Sequence, residues 1–175
     1  MGLRGLGKNL YDEIVMSKQF PVLAGFESQL ELERWDFYRV NVKRSQKFTK
    51  FGKYSLEIEY LRGGYPTVSM KYLRSDWSGY NNLNFSVYST SNENQEFVLK
   101  VFDKIHIENG YIYADRFNEN ITLRNGWNTI DIPLSNIINA PGGRLMDIHE
   151  IRVFSFFADK LNQPVTIYID DIHLL

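Results

Sequence analysis

The last eleven residues, 165–175, read VTIYIDDIHLL. Their alternation is that of a strand, with Ile167 and Ile169 facing one way and Tyr168 the other. Two acids then arrive together, Asp170 and Asp171, and the apolar beat resumes at Ile172 and Leu174. From Ile169 to Ile172 is a step of three, where a period of two demands two or four. A β-bulge at the acidic pair restores the beat and re-aims one carboxylate. Carboxylates beside a core are costly without a partner. Phe26-Glu27, far upstream, supplies one. The first and last strands are therefore expected to lie side by side.

Period-two runs recur upstream. Leu56, Ile58 and Tyr60 alternate with Ser55, Glu57 and Glu59, and Val68, Met70 and Tyr72 with Ser69 and Lys71. Leu83, Phe85 and Val87 form another apolar face, and 32–42 alternates Tyr38, Val40 and Val42 against Phe37, Arg39 and Asn41. Segments 96–103 and 148–157 are apolar on both faces, as mid-sheet strands are. Asn109-Gly110 and Asn125-Gly126 carry the type I′ hairpin signal, opening strands at 111–123 and 127–134. A short helical turn fits 134–138. Residues 1–20 read as a linker or lead-in, with a helical turn or two around Leu10, Ile14 and Val15. Residues 21–175 read as one domain of about ten short strands with no long helix. This predicts an all-β fold: an antiparallel β-sandwich of the jelly-roll kind.

Composition narrows the functional classes. The 175 residues carry 20 basic and 21 acidic side chains, a net charge of -1 that gives no global attraction to nucleic acid or an anionic membrane. With Cys 0, disulfides, thiolate metal sites and cysteine catalysis are excluded. No apolar run reaches the roughly 18 residues of a membrane span, and no signal peptide is visible. A segment of a larger secreted or membrane-anchored protein stays open. Lys43, Arg44, Lys47, Lys50 and Lys53 lie among Phe48, Phe51 and Tyr54 and read as a solvated basic loop, not a nucleic-acid site.

Phe26-Glu27, Gly52-Lys53-Tyr54-Ser55-Leu56, Asp76-Trp77-Ser78-Gly79-Tyr80, Gly126-Trp127-Asn128-Thr129-Ile130 and Tyr168-Ile169-Asp170-Asp171-Ile172 occur in that order. The set resembles the carbohydrate-binding-module-like, galactose-binding-like jelly rolls found beside glycoside hydrolases. In detail it looks most like the sandwich appended to VanZ-like membrane proteins. The likeness covers roughly residues 21–175. It implies a non-catalytic module, acting outside the cytoplasm, that attaches a larger protein to a glycan. It also implies a structural Ca²⁺ held by Glu27, Asp170 or Asp171 and a backbone carbonyl near Lys53, since calcium takes hard oxygen ligands. The bland alternative is that the acid pair salt-bridges or caps turns at the bulge.

Saccharides stack on exposed rings while planar polar side chains satisfy their hydroxyls. Trp77 and Tyr80, in a turn-rich loop beside Asp76, fit that need, as do Tyr113 and Arg116, with Asp103 ending the neighbouring strand. Pairing of those strands would set Asp103 near Arg116. The competing reading makes Trp77 and Tyr80 a core lid and Asp103–Arg116 an ion pair, leaving a structural or protein-interaction sandwich. Trp127, after its tight turn, reads as packing. No catalysis is expected. Glu57 and Glu59 share a strand face as solvated acids, and the phosphate loop and Gly-x-Ser-x-Gly elbow are absent. His106, His149 and His173 are too scattered for a zinc site.

Overall fold

The computed structural model describes residues 3–175, apart from the side chains of 3–6 and 8. Two antiparallel sheets stack into a sandwich. The first has the order β3 (Val40–Ser45), β4 (Ser55–Tyr60), β11 (Val165–Leu174), β6 (Asn82–Ser89) and β9 (Gly126–Pro133), with β1 (Val22–Ala24) also paired to β11. The second runs β2 (Trp35–Tyr38), β5 (Thr67–Met70), β10 (Ile151–Ala158), β7 (Gln95–Asp103) and β8 (Phe117–Leu123). Between them lies one apolar core, in which Phe85 meets Phe154 and Phe156 edge-on and Phe97 stacks on Phe156.

The closing strand behaves as its sequence asks. Ile167, Ile169, Ile172 and Leu174 are all buried. Between Asp170 and His173 the partner strand advances only from Ser86 to Asn84, so one extra residue sits on β11. Asp171 absorbs it with φ 54°, the left-handed region that an Asp tolerates. The bulge also hands one edge of β11 from β4, which ends opposite Ile169, to β1, which begins opposite Ile172. First and last strands are thus neighbours, as expected.

Three stretches depart from the reading above. The expected continuous strand over 32–42 is a 3-10 turn, Gln29–Arg34, followed by two strands in different sheets. The chain crosses between them at Arg39, whose φ of 53° breaks the alternation. Asn109-Gly110 does not turn a hairpin; it ends a short helix, α2 (Lys104–Glu108), and β8 starts only at Phe117. The lead-in is a 17-residue helix, α1 (Leu3–Gln19). Gly5 and Gly7 argue against helix by propensity. A tertiary tie outweighs them: buried Arg34 donates to both carboxylate oxygens of Asp12, at 2.6–3.1 Å. The helical turn near 134 is present as α3 (Leu134–Ile138).

Candidate functional site: a groove on the outer face of the second sheet

Side chains on a strand alternate, and residues paired across strands share a face. The residues of the second sheet that point away from the core therefore line up in rows. One row is Tyr38, Thr67, Phe157, Val98 and Asn120. The next is Asp36, Ser69, Ser155, Lys100 and Asn118. Five strands about 4.8 Å apart make each row roughly 19 Å long. Over these rows lies an open groove of about 560 Å³, walled by Tyr65, Tyr113, Arg116 and Asp159. Tyr38, Tyr65 and Tyr113 are 61%, 53% and 70% exposed, with the Arg116 guanidinium over one face of the Tyr113 ring.

The polar groups are arranged without closing the groove. Ser69 and Ser155 hydroxyls bond each other at 2.7 Å, and Lys71 pairs with Asp36 at the β2 end. The Arg116 guanidinium lies 4.7 Å from the Tyr113 ring centroid, a cation–π contact that fixes both. Lys100 lies 5.8 Å from the ring centroids of Phe102 and Phe157. Burial pushes its pKa down, with the positive charges of Arg116 and Lys71 adding to the effect.

Of the residues expected to bind ligand, this face collects Tyr113 and Arg116 only. Trp77 is wholly buried; its indole N–H donates to the Arg74 carbonyl at 2.9 Å. It belongs to the core, and its loop closes one end of the sandwich. Tyr80 is half-buried, edge-on to Phe20 at 5.5 Å. Asp76 is exposed at that same end, 3.2 Å from the ring of His149. Asp103 is fully buried, and its partner is not Arg116. Although β7 and β8 pair, the pairing stops at Val101–Phe117, one residue short of Arg116. Arg144 takes the carboxylate instead, with Nη1 and Nη2 donating at 2.7 and 2.9 Å. Burial raises the Asp103 pKa, but Arg144 and the N–H groups of Asp147 and His106 outweigh it and hold the acid below its usual range.

The acidic corner also assembles, with donors of an unexpected kind. Asp170, fully buried, accepts from Lys50 N at 2.6 Å, Phe51 N at 3.0 Å and Asp171 N at 2.7 Å. Glu27 accepts from Lys53 N and Tyr54 N at 2.9 and 2.8 Å. Lys53 thus offers Glu27 its N–H, not a carbonyl. Arg44 donates to the carbonyls of Phe26 and Glu27 at 2.6 and 2.7 Å. Asp171 turns the other way, 3.3 Å from His173 Nδ1. Among the described residues no three His, Asp or Glu side chains gather closely enough to hold a metal ion. Converging N–H groups suit carboxylates and repel a cation, so this donor set does not fit calcium, and no function is derived through one. Its work is to pin the 46–54 loop to both chain ends.

Burial lifts the Asp170 pKa to about 6, against opposing bonds from Phe51, Lys50 and Asp171. The folded state therefore holds this proton more tightly than the unfolded chain does. The stabilising contribution is complete below the ordinary carboxyl value of 3.8 and is lost as pH rises through about 6. Urea midpoints should fall between about pH 4 and 6 in the native chain. That fall should flatten in Asp170→Asn, and EDTA should leave both curves unchanged. A fall undiminished in the variant would assign it to another group.

Comparison with known proteins follows this architecture. Residues 24–175 match Carbohydrate binding domain 30, and the chain belongs to that family. The family 11 carbohydrate-binding module from Clostridium thermocellum, solved in complex with a β-1,3-1,4-mixed-linked tetrasaccharide, superposes with a TM-score of 0.67 at 21% identity, over 88% of this chain and 94% of that one. The family 30 module of a cellulosomal cellulase of Clostridium thermocellum superposes at 0.56 and 19% identity, over 77% and 82%. An exo-β-agarase matches at 0.66 and 17% identity, with 88% of this chain covering only 24% of that enzyme. At these identities the likenesses establish the fold. No curated protein matches the chain. The chain is thus a carbohydrate-binding module of jelly-roll form.

Sequence reasoning missed Tyr38, Tyr65, Lys100, Asn120 and Phe157. One signal was available: 148–157 is apolar on both faces, and Phe157 is the ring it leaves on the outer one.

Proposed function

We propose that the groove over the second sheet binds a polysaccharide chain, and that the module thereby attaches a larger extracytoplasmic protein to its glycan. The observation that carries this reading is a groove in which Phe157, Thr67 and Asn120 of the outer row lie with Tyr65 and Tyr113, while Tyr38 continues the row past Thr67. Rings supply apolar area for sugar faces, and amides and hydroxyls satisfy their hydroxyl groups. No cleavage of the bound chain is part of the reading. A structural or protein-interaction role is the rival, and it fits a face whose aromatic rings are covered; these are open.

Each ring is expected to contribute about 1–2 kcal/mol through buried apolar area, roughly 5–30-fold in affinity. Affinity electrophoresis against a panel of neutral β-glucans, galactans and uronans should show retardation by at least one member. Tyr113→Ala should relieve it without lowering the melting temperature by more than about 2 °C, as befits an exposed side chain. Migration unchanged across the whole panel would remove the glycan reading.

A further inference from the structure

The groove holds more positive charge than a chain of neutral sugars requires. Lys100 and Arg116 both line it, and neither makes an ion pair among the described residues. Lys100 sits between Ser155 and Asn118, on the strand next to the β8 edge. Arg116 is held flat against Tyr113, and its Nε is buried with no hydrogen-bond partner. The third cation on this face, Lys71, is already neutralised by Asp36. One acid, Asp159, also lines the groove, without an ion pair among the described residues, which leaves two cations against one anion. Tyr65 and Tyr113 complete the titratable groups there.

Two unneutralised cations that repel each other at a half-buried surface are a standing cost unless something anionic comes between them. Elsewhere the chain pairs such groups: Arg144 holds two carboxylates and Arg34 holds Asp12. Lys100 and Arg116 have no such acidic partner among the described residues, and they lie where the proposed ligand does.

Resting on the polysaccharide reading above, we propose that this groove selects glycans that carry negative charge, a sugar carboxylate or sulfate seated between Lys100 and Arg116. The planar guanidinium, fixed by Tyr113, presents its outer N–H pair to two oxygens of such a group. The Lys100 ammonium supplies the second charge from the sheet floor. Neutral residues of the same chain stack on the flanking rings.

The test compares polygalacturonate, a sulfated galactan and a neutral mixed-linkage β-glucan, each by calorimetry at 50 and 500 mM NaCl. Binding to one of the two anionic polymers should exceed binding to the glucan about tenfold at low salt and shrink at high salt. Whichever polymer binds identifies the anion as carboxylate or sulfate. Lys100→Met and Arg116→Gln should each lower that affinity about tenfold, change glucan binding less than twofold, and leave the melting temperature level or higher, since each removes a repulsion. Lys47→Gln with Lys50→Gln, on the basic loop of the opposite sheet, should change nothing. Binding of the glucan alone, indifferent to Lys100→Met, would overturn the charge selectivity and leave the polysaccharide reading standing. Anionic binding abolished only by the loop variant would also overturn it. Failure of all three polymers across a full panel would take down both.

Discussion

Replacing Arg144 by methionine is expected to remove about 3–5 kcal/mol of folding stability, because it strands buried carboxylates without their counter-charge. The side chain donates twice to Asp103, at 2.7 and 2.9 Å, and twice to Asp115, at 2.5 and 2.9 Å. Asp103 is 0% exposed and Asp115 7%. Hydrogen bonds to Asp115 and Asp103 drive the Arg144 pKa well above its ordinary value, so the ion is charged at every accessible pH. In Arg144→Met the two acids repel each other in a desolvated pocket. The deficit should shrink as pH falls toward 4 and they take up protons. In the native protein the sign is opposite. The same two acids lie below their usual pKa, so their contribution is present above about pH 4 and lost as pH falls further. Urea unfolding at pH 7, pH 4.5 and about pH 3 measures both trends. Adding Asp103→Asn to Arg144→Met should restore part of the loss, since it removes one of the two stranded charges; the gain is partial because His106 N donates to Oδ1 and Asp147 N to Oδ2, and the single amide oxygen keeps only one of those bonds. A loss under about 1 kcal/mol at pH 7 would mean that water reaches the carboxylates.

This cluster lies beneath the groove and positions one wall of it. Asp115 closes the 3-10 turn Tyr113–Asp115, and Arg144 clamps that turn against β7 through Asp103. Tyr113 rides on the turn, and Arg116 follows it. Arg144→Met should therefore weaken glycan binding more than its distance from the groove suggests, while Tyr113→Ala should weaken binding with little change in stability. The contrast separates a positioning role from a contact.

The legible parts of this molecule are those governed by short-range periodicity. A bulge at Asp170–Asp171 follows from counting apolar residues, since only an inserted residue keeps Ile169 and Ile172 on one face. The pairing of β1 with β11 was expected from a tie between the acid pair and Phe26-Glu27; the strands do pair, but the donors to Asp170 come from Lys50, Phe51 and Asp171. Those donors are main-chain N–H groups, which every residue but proline carries, so no residue type announced them and the oxygen-ligand expectation filled the gap. The groove was hidden for another reason. Lys100 and Asn118 are seen as outward by alternation alone, but their alignment with Ser155, Ser69 and Asp36 depends on the register of five strands from distant parts of the chain. Arg39 was hidden because a single left-handed residue moves the chain from one sheet to the other while the apolar pattern runs on.

Trp77 tests the same distinction between loop chemistry and sheet chemistry. Trp77→Ala is expected to cost about 3–5 kcal/mol, the range for emptying a large buried aromatic site. At ~2–4 °C per kcal/mol for a chain of this size, the melting temperature should fall by roughly 6–20 °C. The cost has three sources: the lost apolar contacts in the main core cluster, the cavity left behind, and the Arg74 carbonyl deprived of its indole donor at 2.9 Å. The backbone stays anchored, since Trp77 N still donates to the Ile148 carbonyl at 3.0 Å. Affinity of the folded variant for a glycan, measured below its melting range, should change less than twofold, because the groove lies on the outer face of the second sheet and this ring lies within the core. The opposite outcome, a stable variant that no longer binds, would move the binding surface to the 74–81 loop and leave the open row of tyrosines without a role.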